Sequence, residues 1–294
     1  MACLYVYAFS DVHTDFPENM ERMKAMTIPA GMGSGRSVCI CCGDIADQLQ
    51  TIEATLAVLK EKFDRVFFCA GNHELWLSKE DRANGIMDSF DKLARITKIC
   101  DRLKVHTTPQ LVGNSTWIVP MQSWYSPDFD DEYDASNPRD VEFQKHFDFQ
   151  CDFNGIDSGQ LPILFAGKNV FKPPPPTTGA TVITFSHFVP RSDCLPAKEK
   201  LHFKQLYRYA GSPVIEQQLR SFRSSVHIFG HTHTQCDKTI DGIRYLSNPL
   251  GYPRELYLGD HFKPLLVFEK DLCAGADDVN DDDDDDFEFL AKLS

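Results

Sequence analysis

Five short apolar runs each end in a polar cluster, and this arrangement constrains the fold more than any other feature of the chain. YVYAFS leads into Asp11-Val12-His13, SVCICC into Gly43-Asp44, RVFFCA into Gly71-Asn72-His73-Glu74, TVITFS into His187, and VHIF into Gly230-His231-Thr232-His233. Runs rich in β-branched and aromatic residues, without polar alternation, fit strands buried on both faces. Ligands of α/β sheets gather at the carboxyl ends of strands. Five such ends can bring these polar residues together without long loops.

Amphipathic stretches separate the first three runs. Residues 51–63 place Ile52, Leu56, Leu59 and Phe63 at helical spacing, and 88–103 place Phe90, Leu93, Ile96 and Ile99 on one face. Residues 17–28 form a weaker helical pattern. Strand, helix, strand is the βαβ rhythm of an α/β fold. The second half differs: 234–246 read as a hairpin turning at Asp241-Gly242, and 265–268 as a further strand. The expectation is therefore an α/β chain with a mixed sheet or two packed sheets, forming a single domain over 1–272.

Two segments stand apart. Residues 126–179 are irregular, hold a helix candidate at 138–149, and end in Pro173-Pro174-Pro175-Pro176. A stretch this long reads either as a lid over an active site or as a tolerated insertion. Residues 273–294 include six consecutive aspartates and read as a solvated, disordered tail. Partner docking by that tail is the functional alternative.

The formal net charge is −13, of which residues 277–294 carry −8. The body is only mildly acidic and has no basic surface of the kind a general nucleic-acid binder needs. No apolar stretch is long enough to cross a bilayer, and the N-terminus lacks the basic region of a signal peptide. A cytoplasmic protein with reduced cysteines is expected. Cys39, Cys41, Cys42 and Cys69 fall inside apolar runs and read as small buried hydrophobes.

Imidazole and carboxylate together suit transition metals. Asp11, His13, Asp44, Asn72, His187, His231 and His233 are too many ligands for one tetrahedral ion, but they suit two. A carboxylate with two oxygens is the natural bridge between neighbouring cations. Each cluster alone is a weak signal: a lone Asp-x-His arises by chance, and Gly-Asp-x-x-Asp can be just a turn. The five in this order, each after a buried-type strand, are specific.

The set Asp11-x-His13, Gly43-Asp44-x-x-Asp47, Gly71-Asn72-His73-Glu74, His187 and Gly230-His231-x-His233 resembles the calcineurin-like metallophosphoesterase superfamily over about residues 4–250. The stretches 185–191 and 241–254 further resemble a plant and protist branch of it. The resemblance implies two mixed β-sheets packed as a sandwich and flanked by helices, with metals at one edge. It implies that Asp11, His13 and His233 hold one ion, that Asn72, His187 and His231 hold the second, and that Asp44 bridges them, the ions being manganese, iron or zinc. His73 would act on the leaving oxygen with Asp47 orienting its ring, and a hydroxide between the metals would attack phosphorus. Arg191 and Arg254 are candidate phosphate clamps. His106, His146, His202, His227 and His261 have no motif around them and read as structural or surface residues.

The protein Ser/Thr phosphatase branch carries an Arg after the second Asp of its second motif, and here Gln48 stands there. The expected substrate is therefore a phosphorylated small molecule or nucleotide. The competing reading is a non-catalytic scaffold or binding module on the same fold, which would be expected to lose ligands that are all present here.

Overall fold

A computed structural model of the protein describes residues 3–28, 36–130, 136–138, 142, 150–200, 204–255 and 262–272. Ten strands are present among them, in two sheets. The first sheet contains β1 (Cys3–Phe9), β2 (Arg36–Cys41), β3 (Arg65–Phe68) and β10 (Leu265–Asp271), in the order β10-β1-β2-β3. β1, β2 and β3 run parallel, and β10 is antiparallel to β1. The second contains β4 (Gln110–Val112), β5 (Thr116–Pro120), β6 (Thr181–Phe185), β7 (Val226–Phe229), β8 (Cys236–Ile240) and β9 (Ile243–Ser247), in the order β4-β5-β6-β7-β9-β8. Both sheets are mixed, as the resemblance implied, and the Asp241-Gly242 turn joins β8 to β9.

The apolar runs are continuous because each strand is covered on both faces. From β1 and β2, Leu4, Val6, Ala8, Val38 and Ile40 point between the sheets, with Phe67, and meet Ile118, Ile183, Phe185, Ile228 and Leu246. The alternate residues, Tyr7, Phe9, Cys39, Cys41, Val66 and Phe68, point outward. They pack on α1 (Pro17–Ala25), α2 (Leu49–Lys62) and α4 (Ser89–Leu103) through Met23, Ile52, Leu56, Leu59, Ile96 and Ile99. All four cysteines of the first three runs are buried, and burial pushes their thiols well above the usual range.

α4 starts where the sequence places it, because the Asp88 side chain accepts from the Asp91 N–H, and it ends at Lys104 in a left-handed conformation. The short α3 (Lys79–Ala83) is closed by a capping box between Ser78 and Asp81. The outer face of the second sheet is covered by α5 (Leu161–Ala166), α6 (Leu206–Ala210) and α7 (Pro213–Ser221), helices that the sequence pattern did not single out.

The described part of 126–179 is packed rather than free-standing. Phe153, Leu161 and Phe165 are buried with Trp124 and Phe188, and Trp124 stacks on Phe165 at 5.7 Å. Most of the expected 138–149 helix and all of 273–294 lie outside the described residues. Among the described residues, no helix is long and apolar enough to cross a membrane.

The two sheets meet at the rim that carries the site. Ser10 bridges to Pro249, donating its N–H to the Asn248 carbonyl and accepting from the Leu250 N–H. The end of β1 is thereby joined to the loop leaving β9.

Candidate metal centre

Every polar cluster follows a strand end at this rim. Asp11 and His13 follow β1, Asp44 follows β2, Asn72 and His73 follow β3, His187 follows β6, and His231 and His233 follow β7. The loops are held tightly: Asp11 N–H donates to the Gly43 carbonyl, His13 N–H to that of Asp44, and Gly230 N–H to that of His187. Of nine non-glycine residues with positive φ among the described residues, five lie here: Asp11 (54°), His13 (42°), Asp44 (53°), His231 (73°) and His233 (49°). Such backbone costs on the order of 1–3 kcal/mol per residue and gathers at functional sites. Close approach explains two glycines. A Cβ on Gly43 would lie 2.6 Å from the Gly71 nitrogen, and one on Gly71 would lie 2.8 Å from the His187 ring.

The ligand atoms converge in overlapping groups. Asp11, His13 and His233 offer atoms within 4.8 Å of one another, and so do Asp44, His187 and His231. His13 Nε2 faces His233 Nε2 at 3.0 Å. His187 Nε2 lies 3.1 Å from Asn72 Oδ1, 3.2 Å from His231 Nδ1 and 3.3 Å from Asp44 Oδ2. Asp11, Asp44 and His187 are nearly or fully buried.

Hydrogen bonds on the far side of three of the rings set their tautomers. His187 Nδ1 donates to the Cys42 carbonyl at 2.8 Å, and His231 Nε2 to the Tyr209 carbonyl at 2.9 Å. His233 Nδ1 donates to the Glu255 carboxylate at 2.6 Å. The nitrogens facing the cluster then carry lone pairs, and Asn72 Oδ1 and the two aspartates are acceptors as well. This is the outer-shell arrangement that orients histidines toward a metal. The donor set fits divalent transition metals.

The field points the same way. Burial lowers the His187 pKa, but Asp44 and Asp11 outweigh it and raise it to about 9, so the carboxylates around this ring favour a positive charge beside them. Burial holds His231 down at about 3, so its ring stays neutral, the form in which imidazole ligates a metal. Asp44 is buried, which alone would raise its pKa, yet the surrounding histidines hold it well below the usual carboxylate range. Glu74 stabilises the loops: its carboxylate accepts from the N–H groups of Gly71, Asp44, Ile45 and Ala46 at 2.6–3.3 Å.

His73 stands beside this cluster. Its backbone N–H donates to Asp44 Oδ1 at 3.0 Å, and its Nδ1 donates to Asp47 Oδ1 at 2.7 Å. The Trp76 ring packs on it at 3.5 Å, and the Tyr252 hydroxyl lies 3.3 Å from its Nε2. Burial opposes protonation of His73, but Asp44 and Asp47 raise its pKa above the ordinary value. Two clefts open on either side. One of about 380 Å³ is lined by Leu195, Leu206, Tyr207 and Gln150 together with cluster residues. The other, about 490 Å³, is lined by Asp15, Phe16, Pro253 and Arg254. His73, Trp76 and Tyr252 border both.

The structure thus brings together Asp11, His13, Asp44, Asn72, His187, His231 and His233, with His73 and Asp47 beside them. The clamp expected of Arg191 does not fit. Its guanidinium is held by Asp193, Glu216 and Asp241, and it lines neither cleft. Arg254 does reach the second cleft, with its guanidinium 5.5 Å from the Tyr252 ring. Of the histidines without a motif, His227 is buried between Thr184 and Ser186, and His106 packs on Phe67. His146, His202 and His261 lie outside the described residues. Sequence reasoning missed Glu255, Tyr252 and Trp76. The available signal was that Tyr252 lies in the 241–254 stretch that carried the finer resemblance.

A two-sheet sandwich with Asp, Asn and His converging at one rim defines a metallohydrolase of the phosphoester-cleaving kind. The chain belongs to the calcineurin-like phosphoesterase family, whose model matches residues 4–235. A curated relative, the [acyl-carrier-protein] phosphodiesterase PptH of Mycobacterium tuberculosis, is 23% identical over 280 residues, covering 85% of this chain and 78% of that protein. The crystal structure of the phosphopantetheinyl hydrolase PptH from M. tuberculosis superposes with a TM-score of 0.70 at 20% identity, covering 90% of this chain and 96% of that one. That likeness establishes the shared fold.

Proposed function

We propose that this protein hydrolyses phosphodiesters at a two-metal site. The observation that carries the reading is the convergence of lone-pair atoms in two groups, Asn72, His187 and His231 gathered with Asp44, and Asp11, His13 and His233 gathered together. In this reading Asn72, His187 and His231 would hold one ion and Asp11, His13 and His233 the second, with Asp44 shared between them; manganese, iron and zinc all suit these donors. The ions, when bound, supply the positive charge that offsets phosphoryl oxygen charge and a water acidic enough to attack at neutral pH.

The remaining steps belong to the chain. His73 holds a proton at Nε2 and delivers it to the departing ester oxygen. Asp47 fixes the ring through Nδ1. Tyr252 and Trp76 confine His73 between the clefts. A diester has two arms, and two clefts flank His73: the one lined by Leu195, Leu206 and Tyr207 takes one arm, and the one bordered by Arg254 takes the other. The name of the curated relative, a phosphodiesterase acting on an acyl carrier protein, supports a diester over a monoester.

The test is a paired assay of manganese-loaded protein on bis-p-nitrophenyl phosphate and p-nitrophenyl phosphate, with Asp44→Asn as control. Faster turnover of the diester, lost by a factor of about 10³ or more in the variant, is expected. Preference for the monoester, or full activity in Asp44→Asn, would sink the reading.

A further inference from the structure

We infer that Lys92 is a positioning residue that holds His73 in place for proton transfer; the inference rests on the role proposed above for His73. Lys92 lies on α4, outside every motif in the sequence, and its side chain is fully buried. An ammonium has three N–H donors, and here each finds an acceptor. Nζ donates to the Asp47 carbonyl at 2.6 Å, to the Trp76 carbonyl, and to Asp81 Oδ2 at 3.0 Å.

Two of those three acceptors belong to the residues that hold His73. Asp47 grips the ring at Nδ1, and Trp76 covers its face. They lie 29 positions apart in the chain, on loops leaving β2 and β3. Lys92 ties the two loops to each other and, through Asp81, to the start of α3. Asp81 is itself fixed, accepting from the Ser78 N–H and hydroxyl at 2.8 and 3.0 Å. A buried ammonium is costly unless paired and hydrogen-bonded. A purely apolar side chain would fill the same space but could not gather two carbonyls and a carboxylate at one point. An ångström of misplacement at a catalytic group can lower rate by about 10²-fold.

The test compares two diesters that differ only in leaving group, methyl p-nitrophenyl phosphate and methyl phenyl phosphate. Phenoxide is the more basic leaving group and needs the proton more. Lys92→Met is expected to lower kcat by about tenfold or more on the phenyl ester and less than about threefold on the p-nitrophenyl ester, with KM unchanged. In a His73→Gln background it should add no further loss on either. A merely structural lysine would lower both rates alike, or add its loss to that of His73→Gln, and either result overturns the inference. His73→Gln alone separates the two claims. If it shows no leaving-group dependence, the role of His73 fails and the inference with it; if it does and Lys92→Met does not, only the inference fails. Should Lys92→Met not fold, Lys92→Met/Asp81→Asn removes both buried charges together and is read in the same way.

Discussion

Between the two sheets, Leu4, Val6, Ile40, Phe67, Ile183 and Ile228 are at most 1% exposed and offer only hydrocarbon to their neighbours. A few residues further along the same strands, Asp11, Asp44 and His187 are at most 2% exposed and entirely polar. The burial is the same and the chemistry is opposite. The inter-sheet layer keeps ordinary extended backbone and gains from every methyl removed from water. The rim takes left-handed backbone at five residues and gathers acceptors that repel one another. Stability is thus supplied by the strands and drawn on at their ends, which is how a site of this kind can be rigid without being favourable in itself.

Three measurements test that contrast. The largest effect is expected in the sandwich. Ile183→Ala should cost about 2–5 kcal/mol in urea unfolding, yet leave kcat per folded molecule and metal stoichiometry unchanged. A matching fall in kcat would mean that core and rim are not separable. Next is the rim. Glu255→Gln keeps an acceptor for His233 Nδ1 but removes its charge, so calorimetric metal affinity should fall by about tenfold, the low end for such partners, with unfolding in the absence of metal little changed. An unaltered affinity would show that the field of Glu255 is irrelevant to the ion.

The smallest effect concerns His227, a buried polar group outside the metal centre. Burial depresses its pKa from 6.5 to about 3, so the folded protein keeps this ring neutral. Below pH 6.5 the unfolded chain takes up a proton that the native ring refuses. Stability from this residue is therefore complete above pH 6.5 and is lost as pH falls toward 3. His227→Gln should flatten the pH dependence of urea stability in that window, and an unchanged slope would show that other groups dominate it.

The five strands that lead into the site, the two long helices α2 and α4, and the seven converging polar residues were legible in the sequence, because each rests on local pattern: burial on both faces, helical spacing, and polar residues at strand ends. α5, α6 and α7 were not. Two of them are a turn or so long, and their apolar residues make sense only against the outer face of the second sheet, through neighbours such as Val182 and Tyr245. The same holds for the residues around the ligands. Glu255 reaches His233 across 22 positions, Tyr252 reaches His73 across 179, and Lys92 reaches Asp47 across 45. Arg191 has a phosphate-binding side chain, yet three carboxylates claim it. Which residues could bind metal was readable from residue type alone, because ligand chemistry is a property of the side chain. Which histidine nitrogens face the site, and what holds His73, came from the folded chain, because tautomer and orientation are set by partners that packing, not spacing, brings within hydrogen-bonding distance.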